Sequence, residues 1–459
     1  MIDHAGEKYK KFGEFVMEKE NAYHKPVTLK NILSFAVPTI AMSLFMSFYT
    51  MVDGLFVSNL IGSSALSAIN LTAPMIQLVT AVSTMLATGG SAVIMKKMGE
   101  GKRREAREDF TLLIKVNVLV GAAMCALGYL ITGRLFGAMD LSPEAAGYCV
   151  DYLSRYLLFT VPILLMNNFT LYMIASEKAG LSLLCTVAGG VLNIVLDYVF
   201  IAVCGLGIGG AAVATGLGYS VTAAADLFVF SRKKSLLHFT RPAFRLRVLL
   251  DAASNGCSEM ATALVTGIVT MMFNWTMLRY VGEDGVAAVT IIMYVLMFAS
   301  SLYTGYSYGV APMLSYYWGE RNHEKLKKLV SVSLRIILVI SLTTAAFSYA
   351  ATEPLVSIFA RPDDPVYGLA VAGNRLCPLA LLFIGFNIFA SGMFTALSNG
   401  VVSAVLAFSR SFVFMLLTML TLPALLGIAG VWLATPAAEL MALALSAWMF
   451  FRYRGRYRY

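Results

Sequence analysis

The feature that most constrains this sequence is a series of twelve apolar runs, each long enough to cross a lipid bilayer. A membrane-spanning helix needs about 20 apolar residues, so twelve of them need about 240. Hydrophobic residues make up 58% of the 459 residues and charged residues only 13%, far from the balance of a soluble domain. The sequence therefore predicts an all-α polytopic membrane protein with twelve transmembrane helices and no sizeable soluble catalytic domain. The runs cover residues 30–58, 66–95, 112–133, 149–174, 182–204, 208–231, 248–278, 286–317, 329–351, 371–397, 401–424 and 427–451.

The basic residues are concentrated in alternate connections between these runs. They lie in the N-terminal tail, in the second, sixth and eighth connections and in the C-terminal tail, whereas the odd-numbered connections hold only Arg134, Arg279 and Arg361. Because cytoplasmic loops carry an excess of Lys and Arg, both termini are predicted to be cytoplasmic. These loops also account for the net charge of +9, so no nucleic-acid partner is expected.

The second half of the chain repeats the first at a constant offset of 220 in the numbering. Gly89 matches Gly309, and Arg155 matches Arg375. A constant offset that pairs charged and loop residues is hard to obtain by chance between apolar segments. Since each half has six helices, the two halves have the same orientation, and the axis that relates them runs along the membrane normal. This parallel repeat predicts two six-helix lobes with a cavity between them.

The repeat and the charge pattern together divide the chain into five segments. These are a polar cytoplasmic tail (1–28), an N-lobe with helices 1 to 6 (29–231), a basic cytoplasmic linker (232–247), a C-lobe with helices 7 to 12 (248–451) and a basic cytoplasmic tail (452–459).

The sequence offers no signature of a bound cofactor. The six cysteines are scattered without a C-x-x-C pair, and the four histidines have no metal-ligand spacing, so neither a disulfide framework nor a zinc site is expected. The segment 205–210 fits G-x-G-x-x-G but lies in a short turn between two spanning helices, which excludes a dinucleotide site. No Walker A motif is present.

Polar residues of the first half lie at similar predicted depths. Asp53 in helix 1, Asp197 in helix 5 and Thr215 in helix 6 are each about 9–12 Å below the predicted outer surface, at 1.5 Å per residue. Asn193 precedes Asp197 by one turn, and Tyr49 precedes Asp53 by one turn. Because an ionisable residue at bilayer depth costs about 2.5–3.5 kcal/mol on insertion scales, this group is a functional candidate.

Two carboxylates, an amide and a hydroxyl at one depth can hold Na⁺ through oxygen ligands. The carboxylates can equally share a proton, since burial and like charge favour a protonated carboxyl. The alternatives are a hydrogen-bonded polar plug between helices, or an Asp53 that simply reaches the interface. At the offset of 220, Asp53 and Asp197 become Phe273 and Leu417, so the group belongs to the first half only, whereas an architectural role would be expected in both.

Two acidic residues of the second half lie near the predicted midplane. Glu259 in helix 7 and Glu439 in helix 12 are each about 18 Å from a membrane face, and neither has an acidic repeat partner. A carboxylate at this depth can attract a cationic substrate, with aromatic rings stacking on it. Glu259, Glu439 and Tyr49 are therefore candidates for the substrate cavity, and pairing with a neighbouring helix is the alternative for the two acids.

The other intramembrane charges are predicted to be less central. Asp226, Asp251, Lys115 and Arg335 lie near predicted cytoplasmic helix ends and are expected to reach toward the interface, while the pattern assigns no position to Arg410. Pro38 shares helix 1 with Asp53, so a bend there could be coupled to protonation, although a static kink explains a proline equally well.

Several segments resemble one known family. Residues 38–74, 193–215, 256–274, 305–322 and 426–439 are similar to the corresponding parts of multidrug and toxic compound extrusion (MATE) transporters, and the likeness runs from about residue 30 to 450. The pattern is most similar to the prokaryotic branch that includes the staphylococcal-type multidrug exporters. The resemblance implies two lobes of six helices and efflux driven by entry of Na⁺ or H⁺.

The resemblance also assigns roles to residues. It places the family's cation site on Asp53, Asn193, Asp197 and Thr215, the family's first-helix proline on Pro38 and an acidic position of helix 7 on Glu259. Some MATE branches have an acidic residue in helix 10, and none occurs between residues 379 and 397. This difference argues against coupling through the second half.

These observations predict a secondary antiporter, not an enzyme. It would export amphipathic, cationic organic compounds in exchange for Na⁺ or H⁺ by alternating access, as a monomer in a prokaryotic plasma membrane, with no cofactor besides the coupling ion. The alternative is a lipid-linked saccharide flippase of the same superfamily, which would need basic residues in the cavity. A membrane-embedded enzyme would need His, Asp or Glu clusters in longer loops, which are missing.

Overall fold

The structure, a computed structural model, describes residues 23–60, 63–139, 141–233 and 235–459, and the side chains of all of these except 53–60, 63–67 and 70. Every regular element in these ranges is helical. Eleven helices are long and apolar enough to cross a membrane, and a bent pair of helices makes up a twelfth span. The prediction of an all-α protein with twelve transmembrane helices is confirmed.

The spans are labelled α1 to α12 in chain order. In the first half they are α1 (Leu29–Leu60), α2 (Ser63–Gly99), α3 (Arg103–Gly137), the bent pair α4 (Pro143–Leu157 and Thr160–Ala175), α5 (Ala179–Asp197, continued by the π-helix Tyr198–Val203) and α6 (Gly207–Ser231). In the second half they are α7 (Leu246–Tyr280), α8 (Glu283–Gly319), α9 (His323–Ala350), α10 (Pro365–Leu376, Cys377–Ala380 and Leu381–Ala396), α11 (Gly400–Phe408, the π-helix Ser409–Phe414 and Met415–Leu426) and α12 (Ile428–Tyr457). A short helix, Thr352–Ser357, follows α9.

The helix bounds repeat the offset seen in the sequence. α2 and α8 are both 37 residues long, and both ends of α8 follow those of α2 at that same offset.

The fourth span departs from its predicted form, because the run 149–174 is not one straight helix. Its two parts meet at 54°, and Pro162 stands in the first turn of the second part, where proline is tolerated but disfavours helix in the residue before it.

The two lobes meet along α1, α2, α7 and α8, where α1 packs on α8 and α2 packs on both α7 and α8. Backbone touches backbone there. A Cβ added at Gly99 or at Gly319 would lie 2.0 Å from a carbonyl oxygen of the other lobe, and one at Gly89 would lie 1.9 Å from the Ala252 carbonyl oxygen. These contacts lie in the half of the bundle that carries the chain termini, and we call them the interlobe seam.

The segment before α1 also joins the two lobes at this end. Tyr23 is fully buried, and its hydroxyl donates to the Ala175 carbonyl at the end of α4 over 2.7 Å. Its ring stacks on Tyr316 of α8, with centroids 4.8 Å apart. Burial, with a smaller contribution from the Glu177 carboxylate, raises the pKa of the Tyr23 phenol well above its ordinary value. The predicted tail at 1–28 otherwise lies largely outside the described residues.

The predicted basic linker at 232–247 packs onto the N-lobe. Arg245 forms ion pairs of 2.8 Å with Glu108 and 3.0 Å with Asp109 at the start of α3, and Arg107 donates to the Leu236 carbonyl over 3.0 Å. These contacts hold the linker against the first lobe before the chain enters α7.

Candidate cation site and central cavity

Three of the four residues predicted as a cation site have described side chains, and all three are buried. Asn193, Asp197 and Thr215 expose 1%, 0% and 6% of their surfaces. The Asn193 amide nitrogen donates to the Thr215 hydroxyl over 3.3 Å. The Asn193 side-chain oxygen is buried and accepts no hydrogen bond from the described residues. The structure thus joins α5 and α6 through the pair that the sequence singled out.

Close packing of two helices produces this contact. A Cβ at Gly189 of α5 would lie 2.9 Å from the Gly218 carbonyl oxygen, and a Cβ at Gly218 of α6 would lie 3.0 Å from the Asn193 Cβ. Asp197 is the last residue of the α-helical part of α5, and a π-helix follows at once. Such π-segments are frequent at functional sites because they re-aim the side chains around them.

The remaining members of the predicted group are Asp53 and Tyr49 on α1. The Asp53 side chain lies outside the described residues, although its backbone belongs to α1. Tyr49 is buried, with 4% exposed, and lines a cavity of about 10 Å³ together with Asn193. A cavity of that size accommodates about one water molecule.

The residues present fit a small hard cation or a proton better than a transition metal. Among the residues that the structure describes, no group of three or more His, Cys, Asp or Glu side chains could hold a metal ion. The donors at this place are an amide oxygen, a hydroxyl and a buried carboxylate. Oxygen donors of this kind suit Na⁺, and a buried carboxylate is also able to carry a proton.

The C-lobe contains a different polar network, centred on Glu439 of α12. The Arg410 Nε atom lies 2.8 and 3.0 Å from the two Glu439 carboxylate oxygens. The Asn387 amide donates to the same carboxylate over 2.7 Å, and the Ser446 hydroxyl donates to the Asn387 side-chain oxygen over 3.0 Å. Glu439, predicted as a cavity residue, is therefore paired with a neighbouring helix and is not among the residues that line the central cavity.

Glu259 of α7 lies just beyond the floor of the central cavity. It lines a pocket of about 30 Å³ between the lobes, together with Tyr308 of α8. Its carboxylate is within hydrogen-bonding reach of the Tyr308 hydroxyl and feels the charge of Arg410. Tyr308 also lines the central cavity, so the pocket of Glu259 adjoins that space.

The central cavity lies between the lobes, about halfway along α1 and α8, and has a volume of about 410 Å³. Most of its lining residues carry a hydroxyl, amide or thioether group, and no charged side chain is among the described residues that form it. Its lining is Met42, Ser43, Met46, Ser47, Thr84, Ala87, Met166, Asn167, Thr170, Leu171, Thr186, Met297, Ser300, Ser301, Thr304 and Tyr308. Met46, Met166 and Thr186 also line the small cavity beside Asn193, so the two spaces adjoin.

The structure corrects one expectation, for Asp226. This residue was predicted to reach toward the membrane interface, but it is fully buried against Cys185 of α5. Pro38 lies inside the continuous helix α1, and its predicted role in a bend stays a prediction.

Sequence reasoning missed Arg410, Asn387 and Tyr308. Asn387 alone had a signal, since the repeat matches it to Asn167, which lines the central cavity. Arg410 lies in the π-helical part of α11, an irregularity that hydropathy does not reveal.

Two helical lobes that enclose a cavity about halfway along their helices, with buried acidic residues in each lobe, define a polytopic membrane transporter. The sequence model of the MatE family matches residues 38–199 and 260–442. The chain therefore belongs to the MatE (multidrug and toxic compound extrusion) family, as the sequence resemblance indicated. Because this is a family of transporters, the prediction of a transporter and not an enzyme is confirmed.

Relatives and solved structures agree with this assignment over nearly the whole chain. The multidrug export protein MepA of Staphylococcus saprophyticus is 23% identical over 437 residues, which is 93% of this chain and 95% of the relative. MepA of Staphylococcus haemolyticus is 23% identical and covers 93% and 94%.

An outward-facing structure of a multidrug resistance MATE family transporter of the MOP superfamily superposes with a TM-score of 0.87, at 24% identity and coverage of 93% and 95%. A variant of the Vibrio cholerae MATE transporter VcmN gives 0.87, at 20% identity and coverage of 93% and 97%. At these identities the solved structures show the fold.

Proposed function

We propose that this protein is a secondary antiporter that exports amphipathic, cationic organic compounds in exchange for Na⁺ or H⁺. The observation that carries the proposal is a buried group of oxygen-bearing side chains in the N-lobe, Asn193, Asp197 and Thr215, next to an uncharged cavity that the two lobes share. The curated relatives that match almost the whole chain are named multidrug export proteins, which supports export of drug-like compounds.

The cavity suits varied amphipathic molecules. Its volume of about 410 Å³ falls within the range of small-molecule sites. The thioethers of Met42, Met46, Met166 and Met297 are flexible and polarizable, so they adapt to different apolar shapes and contact aromatic groups well. Because the described lining carries no cation, an organic cation meets no cationic side chain there, and the Glu259 carboxylate in the adjoining pocket would attract it when ionised.

Coupling would run through the N-lobe group. A ligand shifts an equilibrium between two conformations only by its difference in affinity for them. A cation or proton at Asp53 and Asp197 would order α1 against α5 and α6, and α1 also forms one wall of the cavity through Met42, Ser43 and Met46. Occupation of the site would in this way change the cavity wall and favour release of the substrate.

The direction of transport follows from the proposed orientation. If both termini are cytoplasmic, as the distribution of basic residues predicts, the interlobe seam closes the cytoplasmic side. Substrate held in the cavity could then leave only toward the other side of the plasma membrane. Alternating access would require the seam to separate for loading.

The flippase alternative is not favoured. A cavity that holds the pyrophosphate of a lipid-linked saccharide needs cationic side chains, and the described residues that line this cavity include no Lys or Arg.

The test is uptake of a fluorescent organic cation into proteoliposomes under an imposed Na⁺ gradient or pH gradient. Wild type should transport under one of them, which identifies the ion, and Asp53→Asn and Asp197→Asn should each abolish that transport. Asp226→Asn is the matched control, because it removes an equally buried carboxylate of the N-lobe that lies 11 residues, or about 16 Å, along α6 from Thr215. Full transport in Asp53→Asn and Asp197→Asn would refute coupling through the N-lobe.

A further inference from the structure

A groove on the outer face of the C-lobe combines an apolar wall with a cationic rim. It lies between α9, α10 and α12, near the end of the bundle that carries the termini, and has a volume of about 570 Å³. Phe386, Leu443 and Phe450 form its wall. Lys327, Arg335 and Arg454 form its rim. The groove is separate from the central cavity and shares no lining residue with it.

The cations of this groove have no anionic partner in the described part of the chain. Lys327, Arg335 and Arg454 all line it and are exposed. None of them forms an ion pair with a described residue, and no Asp or Glu side chain is among the described lining residues. Some cations at this end are paired, as Arg245 is with Glu108 over 2.8 Å.

Of the three cations, Arg335 is the one for which the lack of an anionic partner is most unfavourable. It follows the start of α9 at His323 by 12 residues, which places its Cα about 18 Å along a helix that runs into the bilayer. Helical side chains lean toward the helix N-terminus, so the guanidinium points back toward the level of Lys327. A charged side chain that faces lipid at such a depth is unfavourable unless it meets a counter-charge or water.

We infer that this groove binds an anionic phospholipid. The lipid phosphate would lie among Lys327, Arg335 and Arg454, and an acyl chain would lie along Phe386 and Leu443. Basic pockets between transmembrane helices bind anionic headgroups by this combination of charge and apolar contact. A zwitterionic headgroup fits less well, because its ammonium group would add a fourth cation to an already positive rim.

The groove also contacts the polar network of the C-lobe. Ser446 is one of its lining residues, and the same hydroxyl donates to Asn387, which in turn donates to Glu439. A bound lipid would therefore cover the outer side of the network that holds Arg410.

The experiment is native mass spectrometry of the full-length protein after incubation with an equimolar mixture of phosphatidylglycerol and phosphatidylcholine. The groove variant is Lys327→Gln with Arg454→Gln. The matched control is Lys328→Gln with Arg452→Gln, which removes two exposed cations at neighbouring positions that do not line the groove. Arg335→Gln and Arg335→Lys form a second pair, in which only the first loses the charge.

Wild type, the control and Arg335→Lys should retain phosphatidylglycerol in preference to phosphatidylcholine. The preference should fall about fivefold for each cation removed from the groove, and so about 25-fold in the groove double variant. Size-exclusion profiles identify any variant that fails to fold, and the Arg335 pair then decides the question. Equal preference in the groove and control variants would overturn the proposal.

Discussion

Gly89, at one of the two tightest contacts of the interlobe seam, gives a quantitative prediction about how the two lobes move. In Gly89→Ala the new Cβ would lie 1.9 Å from the Ala252 carbonyl oxygen and 2.7 Å from the Gly256 nitrogen. Ordinary van der Waals contact begins at 3.4 Å. The seam therefore has to widen by about 1.5 Å before these atoms regain an attractive separation. Both obstructing groups are helix backbone, which cannot rotate away as a side chain can.

The free-energy cost of this overlap falls on only one of the two conformations that alternating access requires. Overpacking a close-packed interior costs about 1–3 kcal/mol. Each 1.4 kcal/mol changes an equilibrium constant tenfold. The ratio of molecules with a closed seam to molecules with an open seam should therefore fall by about 5- to 150-fold. Gly267→Ala is the matched control. It also replaces a helical glycine by alanine, on the partner helix α7, but its new Cβ would meet no atom within 4 Å.

The assay is the distance between spin labels on the two lobes at the end that carries the termini. Arg104 on α3 has a side chain 92% exposed, and Lys328 on α9 is exposed, so both sites accept a label once the six native cysteines are replaced. Gly89→Ala should move the distribution toward longer distances, while Gly267→Ala should leave it unchanged. A distribution for folded Gly89→Ala that superimposes on that of the wild type would refute the reasoning that this seam controls closure.

Two further predictions concern stability. Glu439→Gln should lower the free energy of unfolding by about 3–5 kcal/mol, because it leaves Arg410 without its carboxylate partner in the interior. Glu439→Gln combined with Arg410→Gln should cost less. Thermal unfolding of the two variants measures the difference, and a larger loss in the double variant would contradict the prediction. Tyr23→Phe should cost about 1 kcal/mol at neutral pH by removing the hydrogen bond to Ala175. Because the pKa of the Tyr23 phenol is raised in the folded state, its stabilising contribution is complete below pH 10 and is lost as the pH rises through the folded value. The difference in unfolding midpoint between wild type and Tyr23→Phe should therefore narrow above pH 10, and a constant difference would contradict the assignment.

Much of the architecture was predictable because it depends on local and periodic properties of the chain. The twelve apolar runs and the constant offset between the two halves required no knowledge of contacts, and both correspond to the observed helices. The depth of Asn193 and Thr215 followed from counting residues along α5 and α6, and the structure joins these two side chains by a hydrogen bond. The function of that group, and the contribution of Asp53 to it, stay predictions.

Only the tertiary structure decided which charges meet. Arg410 had no position in the sequence pattern, and Glu439 was a cavity candidate, yet the two form an ion pair between α11 and α12. Asp226 was expected at the interface and is fully buried. Hydropathy reports how deep a residue lies, whereas the partner of a charge depends on how each helix is rotated about its axis, and that rotation is set by close contacts such as Gly189 with Gly218.

The sequence by itself therefore determined the number of helices and their repeat, because the bilayer imposes length and hydrophobicity on each span separately. The seam at Gly89, the π-helical turn around Arg410 and the exposed position of Arg335 were decided only when the helices packed together. Helix packing depends on the shapes of surfaces that are far apart in the chain, and no single segment carries that information.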